Sequence, residues 1–222
     1  MGPVGPKGEA GHALASFEAL AGLPCEAAGS AGRLSIDYDA ARHAVLTCVA
    51  SGAGGGDVST MKINEFSVGT SGSLGDEFVE LVNTGPAEVD VGGLRLVYRA
   101  AAGTADVALA TFPDGTTVAP GAFYLLGSAS YAGGTPADQS FGTGLASSGG
   151  GVALRDGSGT VVDSVGYGTA TNAFVEGSPV PAPPVSAPPG SSAVRLPDGH
   201  DTNDNAADFT VTVSPSPRAP NH

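Results

Sequence analysis

The chain has 222 residues, enough for one sizeable hydrophobic core and small appendages, and 22 acidic against 9 basic side chains give it a formal net charge of −13. This charge repels a phosphate backbone and no cluster of Lys and Arg offsets it, so we expect neither nucleic acid nor an anionic membrane surface as a partner. No run of about 18 apolar residues is present that could insert into a bilayer. The 35 glycines, the 17 prolines and short alternating runs of Val and Thr indicate a loop-rich, all-β protein.

The first 13 residues have a collagen-like period. Glycine occupies positions 2, 5, 8 and 11, with prolines and a lysine between them, and a collagen triple helix requires Gly at every third position. A tract this short cannot hold three chains together, so residues 1–13 are interpreted as the end of a longer stalk, which would make the protein a homotrimer. The alternative is an ordinary flexible leader. These residues contain no apolar segment typical of a secretion signal, so either an export signal lies outside this chain or the protein is intracellular, and the two cysteines favour the first.

Residues 14–50 are predicted to form a small separate unit of one short helix and a β-hairpin. "SFEALAGLP" begins with a capping Ser and ends at Gly22 and Pro24, while "RLSIDY" and "AVLTCV" alternate around a polar turn. The unit has few apolar side chains, and a disulfide between Cys25 and Cys48 would add roughly 3 kcal/mol to its stability. A disulfide would also indicate an oxidising compartment. The alternative is two buried free thiols.

A Gly-rich linker, residues 51–57, separates this unit from the main domain, residues 58–222. Nine segments with strand-like patterns follow, at 61–67, 77–83, 94–100, 107–112, 122–128, 151–156, 161–168, 192–196 and 209–214. The absence of a helical period between them favours an antiparallel sandwich over βαβ units. The proline-rich segment 178–192 is predicted to be a polyproline-like surface loop outside the sheets.

Two of these strands predict which side chains enter the core. Leu94, Leu96 and Tyr98 fall on one face of the third segment. In the last segment, Phe209, Val211 and Val213 alternate with Thr. Because successive side chains of a strand point to opposite faces, we expect both sets to be buried.

Several segments in order along residues 61–221 resemble the bacterial branch of the lamin tail domain family. They are "INEF", "DEFVELVNTG", "VDVGGLRLV", "FPDGTTVAPGAFYLL", "GGVALRDGSGTVVDSVGYG", "AVRL", "DTNDNAADFTV" and "PSPRAPN". The resemblance implies an immunoglobulin-like antiparallel β-sandwich. Leu94 stands where the family usually has a Trp, so a smaller side chain must fill the core there. The preceding unit is similar to a small two-cysteine module that often accompanies such domains in secreted or surface proteins of bacteria.

The sequence contains little that points to catalysis. The four histidines stand at positions 12, 43, 200 and 222, none of which is a core position, and no nucleophile elbow, phosphate loop or zinc-protease motif is present. Glu65, Glu80 and Asp163 lie in predicted strands and could form a carboxylate pair. Single acids on strands are more often structural, so we expect no enzymatic activity.

The segment "DGHDTNDNAADF", residues 198–209, has two interpretations. Its alternating oxygen-bearing side chains are typical ligands of calcium. The candidate ligands are Asp198, Asp201, Asn203, Asn205 and Asp208. The helix–loop–helix calcium motif is excluded, because its sixth and twelfth positions are Ala206 and Thr212 instead of Gly and Glu. The other interpretation, which we favour, is a polar turn in which Asp and Asn bind nearby backbone N–H groups.

These observations predict a non-enzymatic, extracellular or cell-surface module of a bacterial protein, used for interaction or structural display. Its partner would be a protein or a surface ligand. Two alternatives stay open: an accessory domain of a larger secreted enzyme, such as a nuclease or phosphatase, and a calcium-stabilised adhesion module.

Overall fold

A computed structural model describes residues 24–27, 30–38, 43–50, 56–70, 75–142, 144–185 and 190–222. The chain divides into two compact units, Met1–Ser51 and Gly52–His222. Within the described ranges, no helix is long and apolar enough to cross a membrane. The predicted collagen-like leader and short helix, and residues 51–55 of the predicted linker, lie outside the described residues.

The first unit is a three-stranded antiparallel sheet. Its strands are β1 (Pro24–Ala27), β2 (Ser30–Tyr38) and β3 (Ala44–Ala50), in the order β1-β2-β3. β2 and β3 form the predicted hairpin, whereas β1 was not predicted. The predicted disulfide is present: Cys25 of β1 is bonded to Cys48 of β3, with their Cα atoms 5.8 Å apart. The bridge therefore ties the first strand of the unit to the third.

The second unit is an immunoglobulin-like β-sandwich. Its strands are β4 (Met61–Val68), β5 (Glu77–Asn83), β6 (Val89–Asp90), β7 (Arg95–Ala100), β8 (Val107–Thr111), β9 (Thr117–Val118), β10 (Phe123–Ser128), β11 (Gln139–Phe141), β12 (Gly149–Arg155), β13 (Val161–Gly168), β14 (Ser192–Arg195) and β15 (Phe209–Thr212). One sheet has the order β11-β10-β5-β4-β14-β15 and the other β13-β12-β7-β8, while β6 pairs with β9. Each of the nine predicted segments overlaps a strand, and β6, β9 and β11 are short additions.

One hydrophobic core fills the space between the two sheets. Leu94, Leu96 and Tyr98 are buried in it, as predicted. Leu94 thus fills the core at the position where the resemblance led us to expect a Trp. Each such fully buried Leu or Phe contributes roughly 1.5–3 kcal/mol. The prediction for the last strand was wrong at one position, because β15 ends at Thr212 and Val213 is 59% exposed.

The described part of the proline-rich segment departs at Val180 from the predicted surface loop. Val180, which stands between two prolines, is fully buried and forms a parallel bridge with Tyr167 of β13. Its N–H donates to the carbonyl of Gly166 (3.0 Å), and its carbonyl accepts from the N–H of Gly168 (2.7 Å). Prolines prevent a longer ladder, but the residue between them keeps its donor. The prediction rested on the prolines and did not account for the N–H and the apolar side chain of Val180.

Candidate functional site

The acidic loop that follows β14 closes around the guanidinium of Arg195, which is fully buried. Nη1 donates to the carbonyl of His200 (2.7 Å) and to Asp208 Oδ2 (3.2 Å). Nη2 donates to both carboxylate oxygens of Asp163 (3.0 and 3.1 Å), which lies on β13 in the other sheet. An isolated buried cation would be very costly, and these partners offset that cost. Arg195 therefore joins the two sheets at one end of the sandwich.

Ile63 completes the environment of this guanidinium with its backbone. Its carbonyl accepts from Arg195 Nε (2.8 Å), and its N–H donates to Asp163 Oδ2 (2.6 Å). The residue lies beside a register shift between β4 and β5, at Ile63/Glu65. An irregularity of this kind disrupts the ladder locally, and here the neighbouring peptide groups bind an ion pair.

The loop is folded by its own Asp, Asn and Thr side chains. Asp208 accepts from the N–H (3.0 Å) and the hydroxyl (2.7 Å) of Thr202. Asp204 accepts from the N–H of Ala206 (3.2 Å) and caps α1 (Asn205–Asp208), a single helical turn that was not predicted. Asn203 has φ of 59°, a left-handed conformation that Asn tolerates. These contacts are those of a polar turn.

Four of the five predicted calcium ligands bind groups outside the loop, and Asp198 and Asp201 are two of them. Asp198 accepts from Asn64 Nδ2 (3.0 Å) and from the N–H of Asn221 (3.1 Å). Asp201 forms an ion pair with Lys62 Nζ at 2.6 Å. Both side chains connect the loop to the body of the domain.

Asn205 is fully buried and is the most deeply buried of the five predicted ligands. Its Oδ1 accepts the N–H groups of Gly166 and Glu176, both at 2.9 Å, and its Nδ2 donates to the Ser164 carbonyl (3.2 Å). The oxygens of Asn205 and Asp208 thus already accept hydrogen bonds from the protein itself. Calcium binding at the five residues stays a prediction.

A different set of carboxylates meets beside this loop. Within the described part of the chain, Asp163, Glu176 and Asp201 bring one oxygen each within 4.8 Å of one another. Only Asp201 was among the predicted ligands. Burial raises the pKa of Asp163 to about 6 against the opposing charge of Arg195. Burial, with the charges of Asp163 and Asp201, raises the pKa of Glu176 to about 7. The three come from separate segments, so no local pattern predicts their meeting.

Glu65 and Glu80, two of the acids noted in the sequence, do come together. They lie directly opposite each other on β4 and β5 and are fully buried. The C-terminal segment covers them: Ser216 N–H donates to Glu65 Oε1 (3.1 Å), and Arg218 N–H donates to Glu80 Oε2 (2.5 Å). We call these four residues the tail clasp. Asp163, the third acid, pairs with Arg195 instead.

The tail clasp holds a proton near neutral pH. Burial raises the pKa of Glu65 and raises that of Glu80 to about 8, even though hydrogen bonds to both carboxylates act in the opposite direction. Two carboxylates at directly opposed positions cannot both ionise cheaply in a buried site. Both are also hydrogen-bonded to the covering tail. Glu65 and Glu80 therefore form a structural contact between the sheet and the C-terminal segment.

A cavity of about 190 Å³ lies beside the tail clasp, on the face of the six-stranded sheet that points away from the core. Its walls include Phe78 and Tyr131, whose rings meet edge to face at 5.9 Å, together with Pro215 and Pro217. The Tyr131 hydroxyl is buried and has no hydrogen-bond partner in the described part of the chain. This cavity is small and mainly apolar, and Ser67, Thr70 and Asp76 are among the polar side chains that line it.

The larger unit is, on these grounds, an immunoglobulin-like β-sandwich module in which charged groups hold loops and sheets together. The family model of the Lamin Tail Domain matches residues 56–169, slightly more than half of the chain. The protein belongs to the lamin tail domain family, whose domain is a structural, immunoglobulin-like module and not an enzymatic one. No curated protein matches the chain. The acidic loop, β14 and β15 follow the matched residues and complete the six-stranded sheet.

Proposed function

We propose that this protein is a non-enzymatic module for interaction or structural display, which works outside a bacterial cell or on its surface. The observation that carries the proposal is the use of the ionisable groups of the lamin tail domain. Arg195, Asp163 and Asp208 join the two sheets, and Glu65 and Glu80 hold the C-terminal tail. Groups used in this way stabilise a scaffold and are not free to transfer protons to a substrate.

The disulfide of the first unit supports a location outside the cell. Cys25 and Cys48 are bonded, and disulfides persist in oxidising compartments but are rare in the cytosol. A small sheet with few apolar side chains depends on such a bridge. The protein would therefore fold completely only after export.

The charge of the chain supports a role in recognition without nucleic acid. A net charge of −13 keeps the protein soluble and repels polyanions. A β-sandwich with a packed core offers an ordered surface to a protein or surface ligand, and little ordering entropy is lost when an ordered surface binds.

The location can be tested on intact cells that express the full chain from its native gene. We expect added protease to degrade the protein without lysis, and Cys25 and Cys48 to resist alkylation until a reductant is added. A variant with Cys25→Ser and Cys48→Ser is the control, because it has no thiol and its mass should not change on alkylation. A protein that is protected from protease in intact cells and carries two free thiols would refute the proposal. A catalytic domain in the same reading frame would instead make the module an accessory domain of a secreted enzyme.

A further inference from the structure

The outer face of the four-stranded sheet carries positive charge on a protein that is otherwise acidic. In β7, Leu96 and Tyr98 enter the core, so Arg95 and Arg99 lie on the opposite face. Arg155 of β12 stands directly opposite Arg95 in the antiparallel register. Like charges at directly opposed positions destabilise a sheet. We call Arg95, Arg99 and Arg155 the arginine face.

One carboxylate serves two of these three cations. Asp106 pairs with Arg99 Nε at 2.6 Å and with Arg155 Nε at 2.7 Å. Burial alone would raise the pKa of Asp106, but the two arginines outweigh it and hold that pKa below its usual range. Arg95 is exposed, and it pairs with no carboxylate of the described residues. Asp106 therefore neutralises part of the charge of Arg99 and Arg155, and Arg95 has no carboxylate partner among the described residues, in a chain whose net charge is −13.

An aromatic ring beneath the arginine face orients two of the guanidinium groups. The guanidinium of Arg99 lies 4.4 Å from the ring centroid of Phe174, and that of Arg155 lies 5.3 Å from it. Phe174 is itself buried against Val97 and Ala153. Phe174 and Asp106 thus hold Arg99 and Arg155 in place, and Arg95 is the guanidinium of the arginine face that can take a new anion.

We propose that the arginine face binds a carboxylate-bearing, Asp- or Glu-containing segment of a partner protein, and that Arg95 makes the new ion pair. The proposal rests on the interaction function proposed above and names the chemistry of its partner. Val161 lies directly opposite Arg155 on this face and is exposed. A mixture of arginine and apolar contact is typical of protein interfaces. A nucleic acid, whose phosphate charges run far beyond the arginine face, would be repelled by the rest of the chain.

The binding test compares Arg95→Gln with Arg218→Gln, which also removes one positive charge from an exposed side chain but lies in the C-terminal tail. The probe is a fluorescein-labelled hexaglutamate peptide, with hexaglutamine as the neutral control, followed by fluorescence anisotropy at low salt. We expect the unmodified protein and Arg218→Gln to bind hexaglutamate alike, and Arg95→Gln to bind it at least fivefold more weakly. Binding should also weaken as added salt screens the charges. Inorganic phosphate, added as a competitor, should displace the peptide only at high concentration.

Three outcomes would overturn the proposal: no binding by the unmodified protein, equal binding by Arg95→Gln, or displacement by phosphate as effective as displacement by unlabelled peptide. The last would identify a general anion site.

A second measurement needs no ligand. If Arg95 opposes Arg155 without a counter-ion of its own, then Arg95→Gln should raise Tm by roughly 1–4 °C in the free protein. A lower or unchanged Tm would contradict the argument from like charges. Neither measurement depends on the location of the protein. A negative result would therefore refute the binding role of the arginine face alone, and the location outside the cell is tested separately by the protease and alkylation experiment.

Discussion

Arg195→Met tests whether the ion pairs at the end of the sandwich stabilise the fold. The arginine side chain and that of Asp208 are 0% exposed, and that of Asp163 is 1% exposed. Met retains much of the side-chain volume but removes the charge and all the donors. Two carboxylates then remain buried without their cation, a defect that costs about 3–5 kcal/mol. Since domains are stable by about 5–15 kcal/mol, the loss would be a large part of the total.

Urea unfolding followed by far-UV circular dichroism would measure this loss. The chain has no Trp, and its five Tyr side chains provide an independent fluorescence signal. Arg218→Met is the matched control, because its guanidinium pairs with Asp138 at a partly exposed position. Such surface pairs contribute about 0–1 kcal/mol. We expect the control to unfold nearly as the unmodified protein does.

The pH dependence of the deficit provides a second check. Burial already raises the pKa of Asp163 to about 6 while Arg195 is present, and removing that positive charge must raise it further. In the folded variant, Asp163 therefore becomes protonated as the pH falls, and the cost of its buried charge disappears. The loss in free energy of unfolding should be largest at neutral pH and smaller at about pH 5. A loss below about 1 kcal/mol at neutral pH, or a deficit that does not change with pH, would refute the reasoning.

Three further predictions concern the other contacts. The pKa of Glu80 is about 8 in the folded protein and 4.5 for an exposed Glu, so the stability that Glu80 contributes is full below pH 4.5 and is lost as the pH rises through 8. At pH 9, Glu80→Gln should therefore have a higher Tm than the unmodified protein. If the Tm of the two proteins fell equally as the pH rises, the reasoning would be contradicted. Reduction of Cys25 and Cys48 should cost the first unit about 3 kcal/mol and make it sensitive to limited proteolysis, while the sandwich unfolds as before; simultaneous loss of both units would argue against separate stability. Millimolar calcium should leave Tm unchanged, because Lys62 and Arg195 already supply positive charge to the loop, and a clear rise in Tm would establish the calcium alternative.

The short strands could be predicted because their signals are local. Alternation and bounding turn residues identified all nine main strands, and the buried set Leu94, Leu96 and Tyr98 followed from the period of two. The errors occurred where burial depends on distant parts of the chain. Val180 is buried by β13, and Val213 is exposed because β15 ends one residue before it.

The polar contacts could not be predicted from local pattern. Asp198, Asp201 and Asn205 were selected because their spacing in the sequence suits an ion. In the structure, the contacts of Asp201 are made with Lys62 of β4 and Arg195 of β14. They depend on the packing of these strands against the loop and not on the spacing within it. The cation beside the acidic loop is a guanidinium, which no spacing rule within the loop could show.

The sequence by itself determined the class of fold and the main strand segments, because periodicity and turn chemistry act over a few tens of residues, and its cysteine count predicted the bond between Cys25 and Cys48. Only the tertiary structure decided which charges meet. Glu65 meets Glu80, Arg195 meets Asp163, and Arg95 is left facing Arg155. The physical reason is that electrostatic energy depends on distance and burial, and both are set when strands far apart in the sequence pair or pack in the sandwich.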